Sequence, residues 1–291
     1  MEDRAKEYIK EAQKKLNKFF STEASKNEQA APLFNLAGNS FKAARLFQEA
    51  GEAYEKSAEC YERARDVSSS TNELQNAAKA YAKAQNFSKA IDMFIRAANF
   101  YRESNKTSQA AKLLVEASKV FLEDENQDQA VQVLEEAVQI YEDENQPSSA
   151  CQHITTIADI KSGQKNYVDA SKLYRKVAEI RLADRLTQLA ATEYMEKATL
   201  CQLAAGDLIG AEKMCDEFVN AAPQFDSTRE YKLLKALFEA FRNHDNQARA
   251  TAVAEYDSIK RLDKWHIEVH TDIMNIIQGN TGDEEEENGL L

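Results

Sequence analysis

Residues 87–103 read Phe87-Ser-Lys-Ala90-Ile-Asp-Met-Phe94-Ile-Arg-Ala-Ala98-Asn-Phe-Tyr101-Arg-Glu103. Ala90, Phe94, Ala98 and Tyr101 fall at offsets 0, 4, 8 and 11, which trace one stripe of an α-helix. The same stripe recurs on either side. Its leading alanine follows a short turn in Phe47-Gln-Glu-Ala50, Phe87-Ser-Lys-Ala90, Asp128-Gln-Ala130, Tyr167-Val-Asp-Ala170 and Leu208-Ile-Gly-Ala211, at spacings of 40, 40, 40 and 41. Tyr54, Phe94, Leu134 and Tyr174 stand four residues after the first four alanines, and Ala58, Ala98, Val138 and Ala178 stand eight after. The period holds at the eleventh offset for Tyr61, Tyr101 and Tyr141, then departs at Arg181.

The other half of each period behaves alike. Phe41, Tyr81 and Phe121 are 40 apart, as are Ala37, Ala77 and Ala117, while Ala30, Ala110, Ala150 and Ala190 keep one phase. Each period is therefore a pair of helices of ~16 residues, about 24 Å long at 1.5 Å per residue. Small residues let paired helices approach, and the recurring aromatic fills the gap to the next pair, so that stacking buries one continuous core. The expected fold is all-α: a tetratricopeptide-like α-solenoid of helix pairs, period about 40 residues, capped by a C-terminal helical bundle. The pairs are expected at 26–64, 71–103, 107–142, 147–183 and 187–221. Pro147 opens a helix and Pro223 sits in a turn, whereas Pro32 asks for a helix starting near residue 31. The expected organisation is an N-terminal helix and apolar loop over 1–24, the solenoid over 25–222, the bundle over 223–278 and a disordered acidic tail over 279–291.

Composition supports helices and excludes several function classes. Alanine supplies 44 of 291 residues against 8 Gly and 3 Pro, so the turn-rich make-up of a barrel, a sandwich or a Gly-looped α/β enzyme is missing. The net charge of −12 opposes general nucleic-acid binding, which needs a positive surface. No run reaches the ~18 apolar residues of a membrane span, and the charged N-terminus lacks the layout of a signal peptide, so a cytoplasmic protein is expected. Cys60, Cys151, Cys201 and Cys215 show no metal or disulfide spacing and read as reduced small apolar residues.

Candidate chemistry is sparse. Asp124-x-Asn126-x-Asp128 with Glu135 has the ligand spacing of a calcium loop, but Gln129 replaces the glycine and Ala130 belongs to the repeat, so an acidic helix turn is the better reading. His266 and His270 are four apart with Glu268 between them and no third ligand in sight; surface histidines are expected rather than a metal site. No phosphate-binding loop, nucleophile elbow or Cys/His pairing occurs, so neither catalytic residues nor cofactors are expected, and the chain reads as a binding scaffold. Phe19 and Phe20 either cap the first solenoid helix or form an exposed tip that touches a membrane or partner. Burying both would give ~3–6 kcal/mol at most, a weak hold that gains force only when several copies act together.

Four segments point to a family. Cys201-Gln-Leu-Ala-Ala-Gly-Asp207, Pro223-Gln-Phe-Asp-Ser-Thr-Arg-Glu230, Glu255-Tyr-Asp-Ser-Ile-Lys-Arg-Leu-Asp-Lys-Trp265 and the acidic tail ending Leu290-Leu291 together resemble the soluble NSF attachment proteins, adaptors of membrane fusion. The helix-pair array and the Phe19-Phe20 loop extend the resemblance over essentially the whole chain. It implies an adaptor, several copies of which coat a SNARE four-helix bundle and present their C-terminal bundles to the hexameric ATPase NSF for SNARE disassembly. It implies SNARE-binding roles for Lys83, Lys106 and Lys112, membrane contact by Phe19 and Phe20, and ATPase contact by Asp207, Glu239, Leu290 and Leu291. Positions that are lysine in animal relatives are Gln152, Thr156, Gln188 and Thr192 here, which weakens the second half of the basic face. The loop lacks the second apolar pair of longer loops, so weak contact with the membrane surface and a cytoplasmic, peripheral location are implied. A tetratricopeptide-like scaffold binding the peptide tails of other partners is the alternative.

Overall fold

The computed structural model describes residues 1–288, with side chains through residue 279. Two compact units divide the chain, Met1–Gln146 and Pro147–Leu291. The first holds α1 (Glu2–Leu16), α2 (Glu23–Ala43), α3 (Phe47–Arg63), α4 (Val67–Lys83), α5 (Phe87–Glu103), α6 (Thr107–Glu123) and α7 (Gln127–Asp143). The second holds α8 (Pro147–Gly163), α9 (Tyr167–Ala183), α10 (Ala191–Ala204), α11 (Leu208–Ala221), α12 (Arg229–Arg242), α13 (Asn246–Ile259) and α14 (Lys264–Asn288), with short 3-10 turns at Gln188–Ala190 and Pro223–Ser227. The chain is all-α, and the helices fall where the 40-residue phase places them.

The local cause of this regularity is a turn that recurs every 20 residues. Arg45, Arg65, Gln85, Asn105, Glu125, Asn145 and Lys165 all have φ between 54° and 64°. Each ends one helix in the same way. At the first, the Arg45 N–H donates to the Lys42 carbonyl at 3.1 Å and the Leu46 N–H to the Phe41 carbonyl at 3.0 Å, a Schellman closure that satisfies the last carbonyls of α2. The residue after the left-handed one is already the N-cap of the next helix. Asp66, Asn86, Asn126 and Asn166 accept the backbone N–H of Ser69, Lys89, Gln129 and Asp169, respectively.

The stripe residues form the core. Ala50, Ala90, Ala130 and Ala170 are fully buried, and so are Ala37, Ala77 and Ala117; Tyr54, Phe94, Leu134 and Tyr174 are buried beside them. Two glycines mark the closest approaches: a Cβ at Gly38 would come within 2.7 Å of the Tyr54 ring, and one at Gly51 within 2.6 Å of the Tyr81 ring. In the second unit, Phe218, Phe225 and Tyr231 stack edge to face and join α11 to α12, while Trp265 at the start of α14 packs edge-on against Tyr174 of α9.

Four details differ from the sequence reading. Helix α2 starts at Glu23 and carries Pro32 in its interior. Pro32 is exposed, so the Glu28 carbonyl it leaves without a backbone donor can bond water. The fifth pair begins late: Asp184–Ala190 forms a connection, and Ala191 rather than Ala190 takes the buried alanine place, which accounts for the 41-residue step. His266 and His270 are 4% and 3% exposed rather than on the surface, because they share a helical stripe with Val269, Ile273 and Ile277. Helix α14 runs Lys264–Asn288 and so takes in most of the segment expected as an acidic tail, with Asp283–Glu287 placing like charges at the negative end of the helix.

Candidate partner-binding surfaces

Helices α2, α4 and α6 run parallel to one another in the first unit, each separated from the next by an antiparallel neighbour. Between their C-terminal halves lies a groove of about 390 Å³. Its apolar floor comes from Phe47, Phe94 and Val120, and its rim carries four lysines, Lys42, Lys79, Lys83 and Lys119, against two glutamates, Glu116 and Glu123. Lys119 is tied to Glu116 at 2.5 Å. Lys42, Lys79 and Lys83 have no carboxylate partner among the described residues, and the Lys83 ammonium lies 5.5 Å from the centre of the Phe47 ring. The groove can therefore receive an apolar surface edged with carboxylates, the lysines supplying charge and the phenylalanines burial.

The three lysines singled out by sequence do not gather at one point. Lys83 is the last residue of α4, whereas Lys106 is the N-cap of α6 and Lys112 lies in its second turn. Lys112 sits roughly 17 Å along the helix direction from the level of Lys83, at 1.5 Å per residue. All three are exposed and lack a carboxylate partner among the described residues. The residues that do gather with Lys83 are Lys42, Lys79 and Lys119. Of these, Lys79 and Lys119 are 40 apart, a spacing visible in the sequence; the part played by Lys42 emerges only when three helices lie side by side. In the second unit Gln152, Thr156, Gln188 and Thr192 add no charge.

Asp207 and Glu239 are brought to one end of the second unit. Asp207 is the N-cap of α11: it accepts the Gly210 N–H at 2.8 Å and the Gln202 amide at 2.7 Å, bonds that hold its carboxyl below the usual range. Glu239, near the end of α12, pairs with Arg242 at 2.6 Å, and Arg242 also reaches Glu212 in the second turn of α11. That bridge sets the end of α12 beside the start of α11. Ile209, 80% exposed between Asp207 and Glu212, adds an apolar contact to this acidic end that the sequence reading missed. Its signal was an apolar residue in the first turn after a capping aspartate. Leu290 and Leu291 lie outside the described residues.

A buried polar cluster secures α14 against α10. Glu196 is fully buried, and the Tyr256 hydroxyl stands 3.2 Å from both Glu196 and Glu230. Lys260 approaches Glu230 at 3.5 Å; His266 places Nδ1 2.7 Å from Asp263 and Nε2 3.9 Å from Glu196. Burial opposes the imidazolium at His266, but the carboxylates of Glu196 and Asp263 outweigh it and raise the pKa. At His270 burial dominates, with help from His266 and Arg249, and the pKa falls to about 3. Burial likewise pushes the thiols of Cys201 and Cys215 up to about 12 and that of Cys60 to about 11, so these cysteines are inert packing groups. The calcium-like residues are part of helix ends: Asp124 closes α6, Asn126 caps α7, and Glu135 lies in the middle of α7.

Phe19 and Phe20, in the turn between α1 and α2, are 89% and 97% exposed, with ring centres 5.4 Å apart. They do not cap the core. No helix among the described residues is long and apolar enough to cross a membrane.

Comparison with known proteins adds three findings. The alpha-soluble NSF attachment proteins of Saccharomyces cerevisiae and Dictyostelium discoideum are each 35% identical to this chain, over 121 and 125 residues, or 41% and 43% of their own lengths. The mouse protein of the same name is 32% identical over 127 residues, 44% of this chain and 43% of its own length. These matches span about two fifths of the relatives. Among solved structures, a signal transduction ATPase with a tetratricopeptide repeat sensor from Pyrococcus horikoshii superposes with a TM-score of 0.51 at 16% identity, covering 95% of this chain and 45% of that one, a likeness of fold alone. The profile of the soluble NSF attachment protein family matches residues 3–278, nearly the whole chain, and the chain belongs to that family.

Proposed function

We propose that this protein is an adaptor that binds SNARE complexes and recruits and stimulates the NSF ATPase for SNARE disassembly in membrane fusion. The observation that carries the reading is the groove rimmed by Lys42, Lys79 and Lys83, with its Phe47 and Phe94 floor, in a chain that belongs to this family. The acidic SNARE bundle that the family resemblance implies would supply carboxylates to these lysines. Lys106 and Lys112 would extend the contact towards the other end of α6. The acidic end formed by Asp207, Glu212 and Glu239 would face the ATPase, together with Leu290 and Leu291. Phe19 and Phe20 would give each copy a weak hold on the membrane surface, and several copies around one bundle would sum those holds. The location is then cytoplasmic and peripheral.

The test is disassembly of a purified SNARE complex by NSF and ATP with this protein as the only adaptor. Disassembly that requires the protein supports the reading; none at saturating, folded protein sinks it. Lys79→Glu combined with Lys83→Glu should slow disassembly chiefly at low salt, because exposed charges more than ~10 Å apart are screened at 0.1 M salt.

A further inference from the structure

Helix α13 is thinly covered: of its fourteen residues only Arg249 and Tyr256 are buried. Arg249, Val253 and Asp257 follow one another at four-residue steps and so share one face of the helix. With Arg261 and Leu262 in the turn after α13 and Ile267 in the first turn of α14, that face lines an open cleft of about 560 Å³. Val253 and Leu262 are half-buried and Ile267 is exposed, so the cleft presents an apolar wall to solvent. Arg249 is only 9% exposed, and its side-chain partner among the described residues is the Asn246 amide oxygen, 3.3 Å from Nε; no carboxylate pairs with it there. Burial lowers the pKa of the guanidinium, as it does for a cation without a counter-charge. The carboxylates of the cleft and of α14 are engaged elsewhere. Asp257 accepts from Arg261 at 3.0 Å and from the Leu262 N–H at 2.8 Å, while Asp263 holds His266, Glu268 holds Lys264 and Asp272 holds Lys165. A charge taken out of water with no opposite charge beside it is costly, and a carboxylate delivered from outside offsets that cost.

We infer that this cleft is a docking site for an amphipathic acidic peptide helix, one carboxylate of which pairs with Arg249 while its apolar side chains lie on Val253, Leu262 and Ile267. Asn246 takes Nε of Arg249, which leaves Nη1 and Nη2 to donate two parallel hydrogen bonds to one carboxylate. Arg261 gives the site a second cation. Its guanidinium is held at Asp257, eight residues along α13 from Arg249, so the two cations stand roughly 12 Å apart along the helix direction at 1.5 Å per residue. Acidic side chains about seven residues apart on one face of a ligand helix span that distance. An apolar wall beside a single buried fork suits a carboxylate flanked by leucine or isoleucine better than a phosphate, which draws on several donors. The acidic end at Asp207 and Glu239 selects a partner of the opposite sign, so this is a separate surface, and the inference goes beyond the adaptor reading without depending on it.

The experiment is fluorescence anisotropy of a labelled, end-capped helical peptide with two glutamates about seven residues apart and leucines between them. The whole protein carries Lys79→Glu and Lys83→Glu throughout, so that the lysine groove of the first unit does not take up the same peptide. A second peptide has glutamine in place of both glutamates. The glutamate peptide should bind about tenfold or more tightly than the glutamine peptide, the range for hydrogen bonds to a charged group. Adding Arg249→Gln should erase that difference; because it removes a buried charge that has no counter-charge, the urea midpoint should hold or rise. Val253→Glu, at a half-buried place on the same face, should weaken the glutamate peptide about tenfold through like-charge repulsion, and decides the matter if Arg249→Gln fails to fold. Equal binding of the two peptides, or a preference that survives both changes, overturns the inference. So does displacement of the glutamate peptide by an equal concentration of inorganic phosphate, which would mark an oxyanion pocket instead.

Discussion

Glu125 shows what the chain accepts to keep its turns short. Its φ of 58° is in the left-handed region, where a side chain costs roughly 1 kcal/mol relative to glycine, and six other non-glycine residues stand at the same place in successive turns. Glu125→Gly should therefore raise stability by ~0.5–1 kcal/mol, read as a higher urea midpoint with an unchanged slope; a lower midpoint would show that glycine's extra freedom in the unfolded chain wins. His270 makes a second prediction. Its folded pKa of about 3 lies below the unfolded value near 6.5, so its neutral form contributes fully above pH 6.5 and that stability is lost as pH falls toward 3. Between pH 6.5 and 5 the loss should be about 2 kcal/mol, and His270→Leu should flatten it. His266 works the other way: its raised pKa gives stability below pH 6.5 that is lost as pH rises through the folded value. If the acid loss persists in His270→Leu, His270 is not its source. The alanine and aromatic positions were legible in the sequence because packing dictates their chemistry. The left-handed positions were not, because Arg, Gln, Asn, Glu and Lys share no chemistry there, only a backbone angle. The buried histidines could have been found from the stripe that joins them to Val269, Ile273 and Ile277.

At the scale of elements, one residue often serves two helices. Asp207 ends the turn after α10 and caps α11, and the same carboxylate is a candidate ATPase contact. Two substitutions separate these roles. Asp207→Ala should cost ~1 kcal/mol in stability through the lost cap, whereas Asp207→Asn keeps an acceptor for the Gly210 N–H and should be nearly neutral. Both should lower stimulated ATP hydrolysis if charge is the contact. Stimulation that survives Asp207→Asn in full would leave Asp207 a cap alone. The meeting of Asp207 with Glu239 was beyond the sequence, because it depends on the Arg242–Glu212 bridge between α11 and α12, thirty residues apart.

For the molecule as a whole, the net charge of −12 conceals its distribution. Asp283–Glu287 supply five negative charges, leaving −7 for the rest, while the groove of the first unit gathers lysines from α2, α4 and α6. Periodicity revealed the stacking of helices; the groove was hidden because its residues come from helices distant in sequence. The turns carry a further consequence for how proteases meet the chain. Arg45, Arg65 and Lys165 are trypsin sites by sequence, yet each lies in a turn of three residues clamped by two backbone hydrogen bonds, too short to extend into a protease cleft. The connection Asp184–Ala190 is the exception between α9 and α10: Arg185 is exposed, and Leu186 beside it is 94% exposed. Brief trypsin treatment of the native protein should cut after Arg185 well before Arg45, Arg65 or Lys165, and early cutting at those three would mean that the turns open far more readily than their geometry implies.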